Sequence, residues 1–212
     1  MDNRSREECF ENIYNTNHWT QLQSESKSGM GSTLDQTQTI IEEIPKLLAM
    51  FNIESILDAS CGDFNWMRHI DLSNYKYIGM DIVKPVIEQN NRLYAKDNIT
   101  FMSGDIVSDL LPKSDLIFCR DCLVHLSVSD VKNAIKNFIK SGSTYLLTTT
   151  FDISRKNNLE MKLGSWHPIN LMGPPYNLPL PIYSINENCT EGNNGFRDKS
   201  LALWKLDELI ID

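Results

Sequence analysis

The sequence predicts an α/β fold, a doubly wound and mostly parallel seven-stranded sheet in one domain. Three observations predict it. Short apolar runs near 54–59, 76–81, 99–103, 115–119 and 144–151 have strand length and composition. Helical patterns near 64–70, 84–94 and 129–140 alternate with them, and that alternation implies parallel βαβ units. Two late strand-like runs, 182–186 and 200–206, are joined through Glu191-Gly192-Asn193-Asn194-Gly195 and read as a closing hairpin.

The 212 residues suit one core. A hydrophobic content of 41% with 23% charged residues is ordinary for a globular chain, so the fold rests on packing rather than on staples. The net charge of −8 repels phosphate backbones, and no nucleic-acid partner is expected. Five cysteines (Cys9, Cys61, Cys119, Cys122, Cys189) are odd in number and irregular in spacing, as expected of reduced thiols in a cytoplasm. Cys119 and Cys122 form a C-x-x-C at a strand end with no second pair to complete a zinc site, so a structural role is expected. The polar N-terminal stretch predicts no secretory leader, and no apolar run approaches a membrane span. Oligomeric state leaves no mark that can be read.

In chain order, residues 1–33 read as an arm or lid and 34–212 as the main domain. Cys9 to Tyr14 suit a short helix, and 24–33 are small, polar and turn-forming. Ser32 or Thr33 then caps a helix carrying Ile40, Ile41, Ile44, Leu47 and Leu48 at helical spacing. The run ending in Asp58 turns at Ser60-Cys61-Gly62, and the next strand ends in Asp81. The third leads into Gly104-Asp105-Ile106, and the fourth into Arg120, Asp121 and His125. Residues 164–181 hold Gly164, Pro168, Gly173, Pro174, Pro175, Pro179 and Pro181, which exclude any long helix.

Parallel strands deliver such loops to the carboxyl edge of the sheet, where ligands bind. Acids at two adjacent strand tips suit a ligand with a cationic end and a ribose: Asp58 for the ammonium, Asp81 for both hydroxyls. Asp121 and His125 stand four apart, and on a helix the carboxylate would orient the imidazole as a general base, or Asp121 would itself be the base; the plainer reading has His125 lining a pocket. Arg120 either neutralises a ligand carboxylate or pairs with Asp121. Gly29 to Thr33 can present amides to an anion or serve as hinge and cap. Trp19 and Trp66 can cover a ligand or fill the core. Trp166, Asn170, Tyr176 and Asn177 in the stiff late loop, with Glu187 beyond it, offer aromatic faces and polar groups suited to a sugar ring; the alternative is a proline-braced structural loop. No ligand spacing declares a metal site, and no metal requirement is predicted.

Leu57-Asp58-Ala59-Ser60-Cys61-Gly62-Asp63-Phe64 resembles motif I of the class I S-adenosylmethionine (SAM) methyltransferases, with Asp81 similar to their ribose-binding acid and Gly104-Asp105-Ile106 to their adenine-contacting segment. The resemblance runs from about Leu34 to Leu206. It implies a Rossmann-like sheet with an antiparallel last strand and SAM as cofactor. It also implies a cofactor site of Asp58, Ser60, Gly62, Trp66, Asp81, Ile82, Gly104, Asp105, Ile106 and Arg120, closed by Trp19, Ser32 and Thr33. Where the family has glycines this chain has Ser60 and Phe64, which puts side chains in the way of the loop's approach to the cofactor.

Cys119-Arg120-Asp121-Cys122-Leu123-Val124-His125-Leu126-Ser127, Pro174-Pro175-Tyr176-Asn177-Leu178-Pro179 and Asp198-Lys199-Ser200-Leu201-Ala202-Leu203-Trp204 resemble a narrower group. These are small methyltransferases encoded near glycosyltransferases in bacteria and large algal viruses. That resemblance implies O-methylation of a sugar hydroxyl, a rhamnose-type sugar among the candidates, with a small-molecule or glycan acceptor, cytoplasmic location (the host's if the source is viral) and Asp121 and His125 as catalytic pair. The alternatives are transfer to a protein side chain or a small-molecule amine, and a silent SAM-binding module. A dinucleotide oxidoreductase needs Gly-x-Gly-x-x-Gly after the first strand, and Ser60 to Asn65 lack it.

Overall fold

The computed structural model describes residues 4–20 and 24–211. Its seven strands are β1 (Ser55–Ala59), β2 (Lys76–Asp81), β3 (Ile99–Ser103), β4 (Leu116–Cys119), β5 (Tyr145–Thr150), β6 (Tyr183–Asn186) and β7 (Ser200–Lys205). The helices that frame them are α1 (Arg6–Asn15), α2 (Leu34–Met50), α3 (Lys84–Tyr94) and α4 (Val128–Lys140). One sheet runs in the order β3-β2-β1-β4-β5-β7-β6. Strands β1 to β5 pair in parallel, and β7 lies antiparallel between β5 and β6. The chain winds outward from β1 to β3, then returns beside β1 as β4, so β1 and β4 flank the switch point where such sheets open a crevice.

The central strands are apolar throughout because both faces are covered. Alternate residues serve opposite faces. Ile56, Phe118 and Leu147 pack with Ile40, Ile44, Leu47 and Leu48 of α2. Leu57, Ile117 and Leu146 pack with Val131, Ala134, Ile135 and Phe138 of α4. Each apolar helical stripe thus buries against one face of the same sheet. Among the described residues no helix is long and apolar enough to cross a membrane.

Two expectations are corrected. Residues 64–70 hold a single 3₁₀ turn, Met67–His69, rather than a helix. Phe64 has φ 58°, which no right-handed helix admits, and Asp63 is occupied by the arm, accepting from Ser26 Oγ (3.0 Å) and Lys27 N (2.7 Å). Thr33 stands at the N-cap of α2 without capping it: its hydroxyl donates to the Met30 carbonyl (2.9 Å), and the Leu34 amide goes to the Glu25 carboxylate. Helix α1 does carry a full capping box, Ser5 and Glu8 bonding reciprocally, and so starts earlier than the apolar spacing suggests.

Candidate active site

The loops beyond β1, β2, β3 and β4 line a cleft of about 1060 Å³, counting the part that is open to solvent. The β1 tip is tied to β2 by the Ser60 and Cys61 amides, both donating to the Met80 carbonyl (2.8 and 2.9 Å). Asp81 clamps the next turn: its carboxylate accepts from Gly62 N and Val83 N, each at 3.0 Å. Burial raises the Asp81 carboxyl above its ordinary value, against the pull of those backbone donors. Asn90 donates to the Gly62 carbonyl (2.8 Å), and a Cβ at Gly62 would come within 2.3 Å of Ser28 Oγ, so the arm packs directly on the loop.

Ser60 (φ 100°) and Phe64 (φ 58°) both adopt backbone conformations that glycine favours. The loop keeps a glycine-type path while carrying side chains. The Phe64 ring does not obstruct the cleft: it is buried among Tyr77, Tyr94 and Phe101 at 5.2–5.3 Å between centroids. Ser60 lines the cleft.

Asp58, Asp81 and Asp105 all line this cleft, in different states. Asp58 is buried and accepts a 2.5 Å hydrogen bond from the Tyr77 hydroxyl. Burial pushes its carboxyl up to about 7, with the Tyr77 bond pulling the other way. Asp105 is occupied within the protein: it accepts from Arg6 Nε (2.8 Å), Val107 N (2.9 Å) and Ser108 Oγ (3.1 Å). Arg6 also bonds Asp130 (3.0 Å), so α1 is fastened across the cleft mouth. Arg6, Phe10, Tyr14, Trp19, Ser28 and Ser32 supply the arm's part of the lining, and Ile82, Gly104, Ile106 and Trp66 join from the main domain; Thr33 does not reach it.

A second cavity, about 800 Å³ counting its solvent-open part, adjoins the first and shares Trp19, Ser28, Ser32, Asp121 and His125 with it. Met30, Trp166, Glu191 and Phe196 form much of the remaining wall. His125 lies on a 3₁₀ turn, Leu123–His125, rather than on an α-helix with Asp121, whose φ is 51°. The expected Asp121–His125 hydrogen bond is replaced. His125 Nδ1 meets the Ser165 carbonyl at 3.3 Å, and Trp19 stacks on the imidazole at 4.3 Å and 26°. Burial lowers the imidazole to about 4 although Asp121 pulls it upward, so the ring is neutral at neutral pH.

Asp121 belongs to a buried ionic cluster of Arg120, Glu187 and Lys199. Lys199 Nζ contacts Asp121 (2.5 Å) and Glu187 (3.5 Å), and Arg120 contacts Glu187 (2.6 Å) and Asp121 (3.4 Å). Arg120 also donates to the Gly31 carbonyl (2.9 Å) and lies over Trp66 (5.5 Å). Despite burial, Lys199 and Arg120 hold the Asp121 carboxyl below its ordinary value. Arg120, expected either on a ligand carboxylate or paired with Asp121, contacts Asp121 and bonds Glu187 more closely, and Glu187, expected on the acceptor, is 2% exposed beneath the site.

Of the late-loop residues, Trp166 lines the second cavity and Asn170, Tyr176 and Asn177 line neither. The Asn170 amide donates to the Ile153 and Arg155 carbonyls (3.0 and 2.9 Å), the Tyr176 hydroxyl meets Met161 Sδ (3.6 Å), and Asn177 turns the chain at φ 53°. These are the groups of a braced structural loop. Sequence reasoning missed Lys199, Glu191 and Phe196, which reach the site from the β6–β7 connection.

Residues 56–141, from β1 into the turn after α4, match the family profile described as a methyltransferase domain. By structure the chain is similar to magnesium protoporphyrin IX methyltransferase from Synechocystis with bound SAM. The two are 16% identical over 76% of this chain and 83% of that one, with a TM-score of 0.55. It is similar to human N-acetylserotonin methyltransferase in complex with SAM, at 12% identity over 95% of this chain and 60% of that one, with a TM-score of 0.59. A SAM-dependent methyltransferase from Clostridium acetobutylicum gives 12% identity, 80% and 91% coverage, and 0.56. A sequence search of curated proteins gives no match. At these identities the structural likeness is one of fold. The chain has the Rossmann-like fold of those methyltransferases, and residues 56–141 are the part that matches the profile.

Proposed function

We propose that the protein is a SAM-dependent O-methyltransferase whose acceptor is a sugar hydroxyl. The first cavity suits the cofactor by the chemistry of its donors. Asp58 and Asp81 can take the ammonium and the ribose hydroxyls, while Ile82, Val83, Val86, Ile106 and Val107 offer apolar faces to a purine. Asp105, held by Arg6, serves in this reading to fasten the arm of residues 1–33 as a lid that excludes water. SAM, when bound, supplies an electrophilic methyl group on a sulfonium.

The observation that carries the proposal is the wall of Asp121 and His125 common to both cavities. With Nδ1–H donating to the Ser165 carbonyl, His125 keeps Nε2 as a proton acceptor. Even at its lowered value the imidazole is far more basic than a methylated hydroxyl oxygen, so it can take the proton released on transfer. The nearby Asp121 charge favours the imidazolium that forms. Trp166, Phe196 and Trp19 offer aromatic faces to the apolar side of a sugar ring.

Incubation with labelled SAM and a panel of synthetic glycosides, read by mass spectrometry, tests the reading. Transfer to a glycoside is expected, with turnover about a hundredfold lower in His125→Ala. Transfer to amines alone, undiminished in that variant, would move the assignment to an amine or protein side chain. SAM binding without any transfer would make the protein a silent binding module.

A further inference from the structure

Resting on the sugar-hydroxyl reading, we infer that the second cavity accepts only acceptors free of negative charge, and that Glu191 sets this selectivity. The charged side chains that line the cavity are Asp121 and Glu191, with His125 neutral beside them; no Lys or Arg lines it among the described residues. The two cations just beneath are already matched. Lys199 and Arg120 stand against Asp121 and Glu187, two charges against two, with contacts of 2.5–3.5 Å. Glu191 is the carboxylate left over. It forms no ion pair among the described residues, and its Oε2 has the Cys189 thiol at 3.7 Å.

The two cations of this buried cluster are therefore committed to Asp121 and Glu187, and the Glu191 carboxylate on the wall has no ion-pair partner within contact distance among the described residues. A neutral sugar loses nothing there: its apolar face can lie on Trp166 and Phe196, which meet edge to face at 4.6 Å, and its hydroxyls can donate to Glu191. A carboxylate or phosphate on the acceptor would enter beside Glu191 with no donor of positive charge to replace its lost hydration. Specificity here is built by repulsion rather than by an added contact.

The test uses the whole protein, labelled SAM and three matched acceptors: a neutral glycoside, its uronate, and the nucleoside diphosphate form of the same sugar. The neutral glycoside is expected to exceed both anionic forms in kcat/KM by about a hundredfold, the consequence of an unpaired like-charge contact. Glu191→Gln is expected to shrink that ratio about tenfold, and Glu191→Lys to shrink it further. An anionic form used within about threefold of the neutral one would overturn the inference and leave the sugar reading intact. An unchanged ratio in both variants would overturn the role of Glu191. If no acceptor of the set is methylated while calorimetry shows SAM bound, the sugar reading fails and this inference fails with it.

Discussion

Ser60 and Phe64 occupy glycine-type backbone positions, at a cost of about 1–3 kcal/mol each. They differ in what the side chain returns. Phe64 fills the space between Tyr77, Tyr94 and Phe101, whereas the Ser60 hydroxyl is buried without a hydrogen-bond partner among the described residues. Ser60→Gly is therefore expected to raise stability by about 1 kcal/mol, and Phe64→Gly to lower it by about 1–3 kcal/mol, the lost ring outweighing the relaxed backbone. Denaturant unfolding at constant m-value distinguishes the two. Asp58 gives a second residue-level test. Its carboxyl stands near 7, so an ammonium brought beside it should drive off a proton. On the proposed function, SAM binding at pH 7 is expected to release a substantial fraction of one proton, seen by calorimetry in buffers of different ionisation enthalpy, and Asp58→Asn should abolish that release. Asp58 and Asp81 were legible because each ends an apolar strand. Lys199 and Glu191 were not, because only the return of β7 beside β5 brings them to Asp121, and nothing local marks such a pairing.

At the scale of elements, the strands were legible from short apolar runs, and β7 was legible as part of a closing hairpin. The expected helix at 64–70 was not realised because a long-range contact, Asp63 with the arm, overrode local preference. The element that most shapes the chemistry is that arm. Helix α1 is fastened by Arg6 to Asp105 and Asp130, and a short way on Trp19 stacks on His125. The stacking is one source of the burial that keeps the imidazole neutral. Trp19→Ala should wet the ring and let its pKa climb from about 4 back toward the ordinary 6.5. A base acts only when unprotonated, so the acid limb of the pH–rate profile is expected to move upward toward 6.5 in this variant. A profile that loses amplitude without moving would mean that Trp19 contacts substrate but does not control the base.

For the whole molecule, two buried groups make opposing contributions to stability across the mildly acidic range. His125 is lowered from 6.5 to about 4 in the folded chain. Between those values the unfolded chain binds a proton that the folded chain refuses, so this group withdraws stability as pH falls. Asp58 is raised from 3.8 to about 7. Between those values the folded chain keeps a proton that the unfolded chain releases, so this group withdraws stability as pH rises. The raised Asp81 acts in the same direction as Asp58. Each full proton difference is worth about 1.4 kcal/mol per pH unit, and between about 4 and 6.5 the slopes of His125 and Asp58 largely cancel. Each single variant should therefore uncover the other group. Relative to the parent, His125→Gln is expected to lose stability as pH rises from about 4.5 to 6.5, by about 1–3 kcal/mol over the interval. Asp58→Asn is expected to lose it as pH falls over the same interval, by a similar amount. Chemical denaturation of the three proteins at pH values spaced through the window reads these slopes directly. Parallel curves for parent and Asp58→Asn would show that Asp58 is ionised in the free protein, and the proton release on SAM binding would fall with it.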